Sequence, residues 1–164
     1  MGNDISVVTT KSAGSKGEGL TCYLESDFDY LFLGNGVLCV EAGINLQTIP
    51  DDIDLFRMDP RVYPGHCKLL QVRQRQNGLQ AIRNALCDNG YGDILLSSCL
   101  WLDGWSSHQT RLPTEVRHER AGPSNPVTVG GIYNTVNVFA LRCHCPSILQ
   151  KWAARPRHWP PQGQ

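Results

Sequence analysis

Short apolar runs recur along this chain at roughly 8–12-residue spacing, and no stretch holds a helical period for long. In order, "LTCYL", "DYLFL", "VLCVEA" and "INLQTI" are rich in β-branched or aromatic residues and are parted by turn residues such as "GNG". "IPDDIDLFRMDPRVYPG" then interrupts with acids and prolines and is expected as a loop or insertion. "CKLLQV", "DILLSSCLWL", "PVTVGG" and "TVNVFALRC" resume the pattern. Regular short strands of this kind predict an all-β domain, an antiparallel sandwich or barrel. One stretch competes with that expectation: "LLQVRQRQNGLQAIRNAL" is helical on propensity, although Gly78 and the Asn77-Gly78 turn signal argue against an unbroken helix. The small, polar "KSAGSKGEG" makes residues 1–18 a flexible N-terminal segment, residues 19–148 are the β domain, and residues 149–164 form a Pro-rich basic tail. The four prolines after position 145 predict an irregular path from residue 146 onward.

The chain has 164 residues, enough for one domain with a core of its own, and 41% hydrophobic against 18% charged residues is a globular balance. Its apolar runs are too short to span a bilayer, and no early stretch has a signal peptide's basic start and apolar middle. A soluble intracellular protein is expected, in cytoplasm or nucleus, with no stable membrane insertion and no nucleic-acid partner. "MGNDIS" sets Gly2 and Ser6 at the spacing of an N-myristoylation signal, but a single acyl chain gives only marginal attachment. The formal charge is zero, yet residues 1–110 carry 8 Lys/Arg against 13 Asp/Glu and residues 111–164 carry 7 against 2, a split of −5 and +5. The basic end reads either as solvated surface or as a tail that docks on an acidic partner or a phosphate through Arg155, Arg157, His158 and Trp159.

Seven cysteines, at 22, 39, 67, 87, 99, 143 and 145, are an odd number for a disulfide framework and point to a reducing compartment. In "RCHCPS", Cys143, His144 and Cys145 suggest a metal site, but zinc sites draw two ligand pairs and no second pair is evident. Read as a strand, the segment puts Cys143 and Cys145 on one face and His144 on the other, and buried strand cysteines are the favoured reading.

The strongest chemical signal is "NALCDNGYGDILL", a polar knot between two apolar runs. Asp88 has Tyr91 three residues on and Gly92 next to it. As a turn, Asn89 and Gly90 supply the positive φ that a tight hairpin needs. As a site, Asp88 is a carboxylate able to activate water.

Read with its neighbours, the knot resembles the signature of the trimeric dUTPase family. "GLTCYLESDFDYLFLGNGVLCVEAGINLQTIP" is similar to that family's first segment, "VYPGHCKLLQV" to its Pro-Gly turn and strand, and "TVNVFALRCHCPSI" sits in the place of its Arg-x-Ala-Gln strand. The likeness spans roughly residues 19–148 in the right order. It implies a distorted jelly roll, with Asp88 as base, Tyr91 packing on deoxyribose, Arg73 or Arg75 on phosphate, Gly92 in the uracil-reading hairpin, Mg²⁺ gathering the phosphates, and sites shared by three chains. The departures imply lost chemistry. Gly92 comes one residue early and Asp93 replaces a Glu. Thr21 or Cys22 stands where a metal-placing aspartate belongs. The Gly-rich arm that closes on the phosphates is replaced by "ARPRHWPPQGQ", whose prolines lack amide donors.

Two readings follow. One is a catalytically silent member, of the kind large DNA viruses such as adenoviruses carry, with no cofactor, that binds host signalling or trafficking proteins. Trp101, Trp105, Trp152 and Trp159 are its candidate contacts, at least two of them with a claim on the core instead. The closing "QGQ" offers no hydrophobic C-terminus to a PDZ pocket. The other is a divergent dUTP diphosphatase built on Asp88, Tyr91, Arg73, Arg75 and Mg²⁺.

Overall fold

The computed structural model of the protein describes residues 8–19, 27–63, 65–108, 113–120 and 122–154. Strands dominate. They are β1 (Val8–Ala13), β2 (Phe28–Val40), β3 (Asp54–Asp59), β4 (Lys68–Arg73), β5 (Leu86–Asp88), β6 (Ile94–Leu96), β7 (Glu115–Arg117), β8 (Ser124–Val129) and β9 (Tyr133–His144). The helices are α1 (Gly14–Gly17), α2 (Gln80–Asn84), α3 (Ser98–His108) and α4 (Pro146–Ala153), and Leu46–Thr48 makes one 3₁₀ turn.

The strands join in one sheet of order β5-β6-β4-β3-β2-β9-β8-β7, with β1 also on β2. β2 is its axis. It runs parallel to β9 on one side and, through Val37–Val40, parallel to β3 on the other, while β1 pairs antiparallel with its first half. The expectation of an all-antiparallel sandwich or barrel is therefore corrected: the sheet is mixed, and helices rather than a second sheet close its core. A strand buried on both faces needs no alternation, and the continuous apolar character of "DYLFL" and "VLCV" is what a parallel central strand requires.

Val37 and Cys39 of β2, Phe56 of β3 and Phe139 of β9 form one face of the core, covered by Leu79, Ile82 and Ala85 around α2 and by Trp101 and Leu102 of α3. Each such large apolar side chain is worth roughly 1.5–3 kcal/mol on burial. Trp101 meets Trp105 edge to face at 5.3 Å, and Trp105 stacks on Phe139 at 5.4 Å. Trp105, four residues after Trp101 and three after Leu102, shares a face of α3 with each of them.

Several segments differ from the expectation, each for a local reason. "DYLFL" and "VLCVEA" are one strand, not two, because "GNG" forms a register shift between Leu33 and Leu38 instead of a turn. There Gly36 has φ +74°, and a Cβ on it would lie 2.5 Å from Arg75 Nη1. "DILLSSCLWL" divides at Ser97: β6 stops, the Ser97 hydroxyl accepts from Leu100 N at 3.3 Å, and α3 starts on that cap. The stretch expected as a loop contains β3, whose Asp54, Phe56 and Met58 share the core face. "KSA", expected within a flexible lead-in, is the end of β1. "INLQTI" is a 3₁₀ turn capped by Asn45, whose side chain accepts from Gln47 N. In "LLQVRQRQNGLQAIRNAL" a strand and a five-residue helix split at the Asn77-Gly78 turn.

The expected irregular path from 146 begins instead as α4. Pro146 takes the first helical position, where its missing N–H costs nothing. The Glu41 carboxylate accepts from Ser147 N at 2.8 Å and Ile148 N at 3.3 Å, so the cap comes from 106 residues away in sequence and no local signal announces it. Those bonds hold the Glu41 carboxyl below its ordinary range. Among the described residues no helix is long and apolar enough to cross a membrane. Gly2, Thr21, Cys22, Arg155, Arg157, His158 and Trp159 lie outside the described residues.

Candidate functional site

The polar knot is a hairpin turn at the sheet's outer edge. β5 and β6 pair Asp88 with Ile94, and the five residues between close on themselves. Asp88 Oδ1 accepts from Gly90 N at 2.7 Å. Asn89 Oδ1 accepts from Tyr91 N at 2.8 Å and Asp93 N at 3.2 Å, while its Nδ2 donates to Asp93 Oδ2 at 2.9 Å. Gly90 and Gly92 hold φ +78° and +89°, which side chains resist. Tyr91 is 91% exposed. The turn thus consumes one oxygen of the carboxylate expected as base and leaves the aromatic ring in solvent.

Arg73 and Arg75 do share a cleft, of about 540 Å³, with Asp51, Asp52, Gln74, Gln76 and Asn77. Asp88, Tyr91 and Gly92 are not in its wall. Nor are its cations open. Arg73 Nη1 is paired with Asp51 at 2.5 Å, and Nη2 donates to the carbonyls of Ile49 and Pro50. The Arg75 amide donates to Asp54 Oδ1 at 3.0 Å, and its guanidinium stands 3.8 Å from Asp54 Oδ2. Two arginines set against two aspartates give the cleft no net positive field with which to gather a triphosphate.

Asp54 is the residue that sequence reasoning missed. It is 1% exposed, and burial raises its pKa above the ordinary 3.8 even though the Arg75 amide and the Arg75 and Arg83 charges pull the other way. Gly78 makes room for it, since a Cβ at Gly78 would lie 2.6 Å from Asp54 Oδ2. Arg83 reaches back to the carbonyls of Arg75 and Gln76, which ties α2 to the same turn. Beside this lies a second cavity of about 400 Å³, walled by Arg75, Leu79, Ala81 and Trp105 among others. The period-two pattern of "DLFRMD" was the available signal for Asp54, masked by the prolines and acids around it.

Of the tryptophans, Trp101 is 4% exposed and belongs to the core, and Trp105 is packed against it. Trp152 is 56% exposed on α4, with Ile148 and Leu149 also exposed at one and two places beyond Ser147.

The Cys/His stretch also departs from expectation. Cys143 is exposed, His144 ends β9 and is exposed, and Cys145 lies outside the strand as the residue before α4. Among the described residues the buried cysteine is Cys39, which is the register partner of Cys143 on β2. Among the described residues, no three Cys, His, Asp or Glu side chains are grouped so as to hold a metal ion.

No family model, curated protein or solved structure matches the chain.

Proposed function

We propose that this chain is a catalytically silent, dUTPase-like scaffold that acts by binding other proteins, in keeping with a viral accessory factor directed at a host signalling or trafficking protein. The observation that carries the reading is the internal engagement of the charged groups the chemistry would need. Asp88 is bonded within its own turn, Arg73 is paired with Asp51, and Arg75 is turned to Asp54. Phosphoryl chemistry depends on positioned charge, so groups consumed in this way contribute little to a transition state.

The dUTPase-type frame is part of the proposal. In its favour, the resembling segments fall on β2, β4, the β5–β6 hairpin and β9 in the expected order. Against it stand the mixed sheet and α2, which is inserted between two of those strands. For a binding role, Trp152 with Ile148 and Leu149 offers exposed apolar area of the sort that anchors interfaces. Incubation of the purified protein with dUTP and Mg²⁺ tests the reading, with pyrophosphate as readout. No release above a protein-free control is expected. Release that Asp88→Asn abolishes establishes the diphosphatase instead, and light scattering then shows whether it works as the trimer that shared sites demand.

A further inference from the structure

Two thiols, Cys39 and Cys143, stand side by side on β2 and β9, and two more, Cys67 and Cys145, lie near them at the ends of β4 and β9. Cys39 and Cys143 are direct partners in the parallel β2–β9 register. Adjacent strands run about 4.8 Å apart, inside the Cα separation of about 4.4–6.8 Å that a disulfide spans. Register partners project to the same face of a sheet. Cys67, just before β4, and Cys145, just after β9, stand close enough for the charge on Cys143 to be felt by both.

The two paired thiols are unlike. Cys39 is wholly buried, and hydrogen bonding with Cys143 first, and burial second, push its pKa up. Cys143 is exposed, and the hydrogen bond with Cys39 lowers its pKa from 9.0 to about 7 against an opposing desolvation. The neighbouring groups, Cys67 and Cys145, carry raised pKa values and stay as thiols near neutrality, so they do not compete for the negative charge. All four are free thiols.

We propose that Cys143 is a hydroperoxide-sensitive thiol and that Cys39, its partner across β2 and β9, resolves its oxidised form into an intramolecular disulfide. The Cys143 thiolate attacks the outer oxygen of a hydroperoxide. An S–O bond forms, the O–O bond breaks, and the displaced hydroxide or alkoxide leaves as water or alcohol after taking a proton from solvent. Cys39 sulfur then attacks the Cys143 sulfur. The S–S bond forms as the S–O bond breaks, and the departing hydroxide takes the Cys39 proton as water. The two cysteines lose two electrons between them, and the peroxide gains them. This accounts for an exposed thiol backed by a buried one on a neighbouring strand, the arrangement of an attacking and a resolving cysteine.

Alkylation of the full-length native protein by iodoacetamide, mapped by peptide mass spectrometry across pH, tests the first half. A pKa of about 7 against about 8.5 for an unperturbed thiol raises the thiolate fraction, while lower basicity reduces its nucleophilicity. The net expectation is alkylation at Cys143 about threefold faster than a free cysteine peptide at pH 7 and about sixfold at pH 6. A Cys143 rate equal to the peptide's at both pH values overturns the proposal. For the second half, stoichiometric hydrogen peroxide followed by an alkylating quench is expected to give one Cys39–Cys143 cross-linked peptide. In Cys39→Ser, which keeps a hydrogen-bond donor, dimedone-reactive sulfenic acid accumulates at Cys143 instead. A disulfide between other cysteines, or oxidation with no preference for Cys143, contradicts it even if the variant folds poorly, because the wild-type map alone decides.

Discussion

The β5–β6 hairpin and the β3–β4–α2 junction hold the two most conspicuous sets of polar residues in the protein, and they are built on opposite principles. In the hairpin, the side chains of Asp88, Asn89 and Asp93 bond within residues 88–93, with both aspartates exposed and Asn89 half-buried. At the junction, Asp54 draws its partners from 21 residues away and is sealed from solvent. An exposed turn that satisfies itself can be edited at little cost, because water replaces whatever is removed. A buried carboxylate cannot, because its loss leaves the Arg75 amide without an acceptor in a dry place. Chemical conspicuousness in sequence and structural weight in the fold are thus separated here by solvent access.

That contrast can be broken by substitution. The largest loss belongs to the core over the junction: Trp101→Ala should cost about 4 kcal/mol in urea unfolding, since it empties the space under α3 and removes the contact with Trp105. Asp54→Ala should cost about 2–3 kcal/mol. Its titration has a definite sign. Because burial raises the folded pKa of Asp54 above the ordinary 3.8, the native state holds its proton longer than the unfolded chain, so stability falls as pH rises from that ordinary value through the raised one. Asp54→Asn keeps an acceptor for the Arg75 amide and should flatten this fall, as pH-dependent melts will show. The hairpin lies at the other end of the scale. Asn89→Ala should cost about 1 kcal/mol through its lost turn bonds, and Tyr91→Ala less than about 0.5 kcal/mol. A hairpin substitution that rivals Asp54→Ala would end the comparison.

The legible part of the fold was what local pattern controls. β4, β8 and β9 were visible as apolar runs, and the hairpin at 88–93 was visible because Asn-Gly chemistry acts within five residues. What could not be read depended on distant partners. Asp54 looked like one acid among several in a loop because its burial is set by Arg75 and Gly78. The start of α4 looked irregular because its cap, Glu41, lies just past the end of β2, 106 residues away. Cys143 stood out only with its neighbours His144 and Cys145, and nothing joined it to Cys39, since register between strands about a hundred residues apart leaves no mark on either. The tryptophans show the same division: Trp101 and Trp152 are equal as residues, and only the tertiary position of α3 and α4 separates core from surface.

The most direct measurement is a titration of the isotope-labelled protein with dUTP and Mg²⁺, followed through backbone amide shifts. If the hairpin is a turn and the arginines are held by their aspartates, the amides of Asp88, Tyr91, Arg73 and Arg75 will show no saturable change. Saturable shifts at Asp88 and Tyr91 together, dependent on Mg²⁺ and absent with ribose UTP, would contradict that.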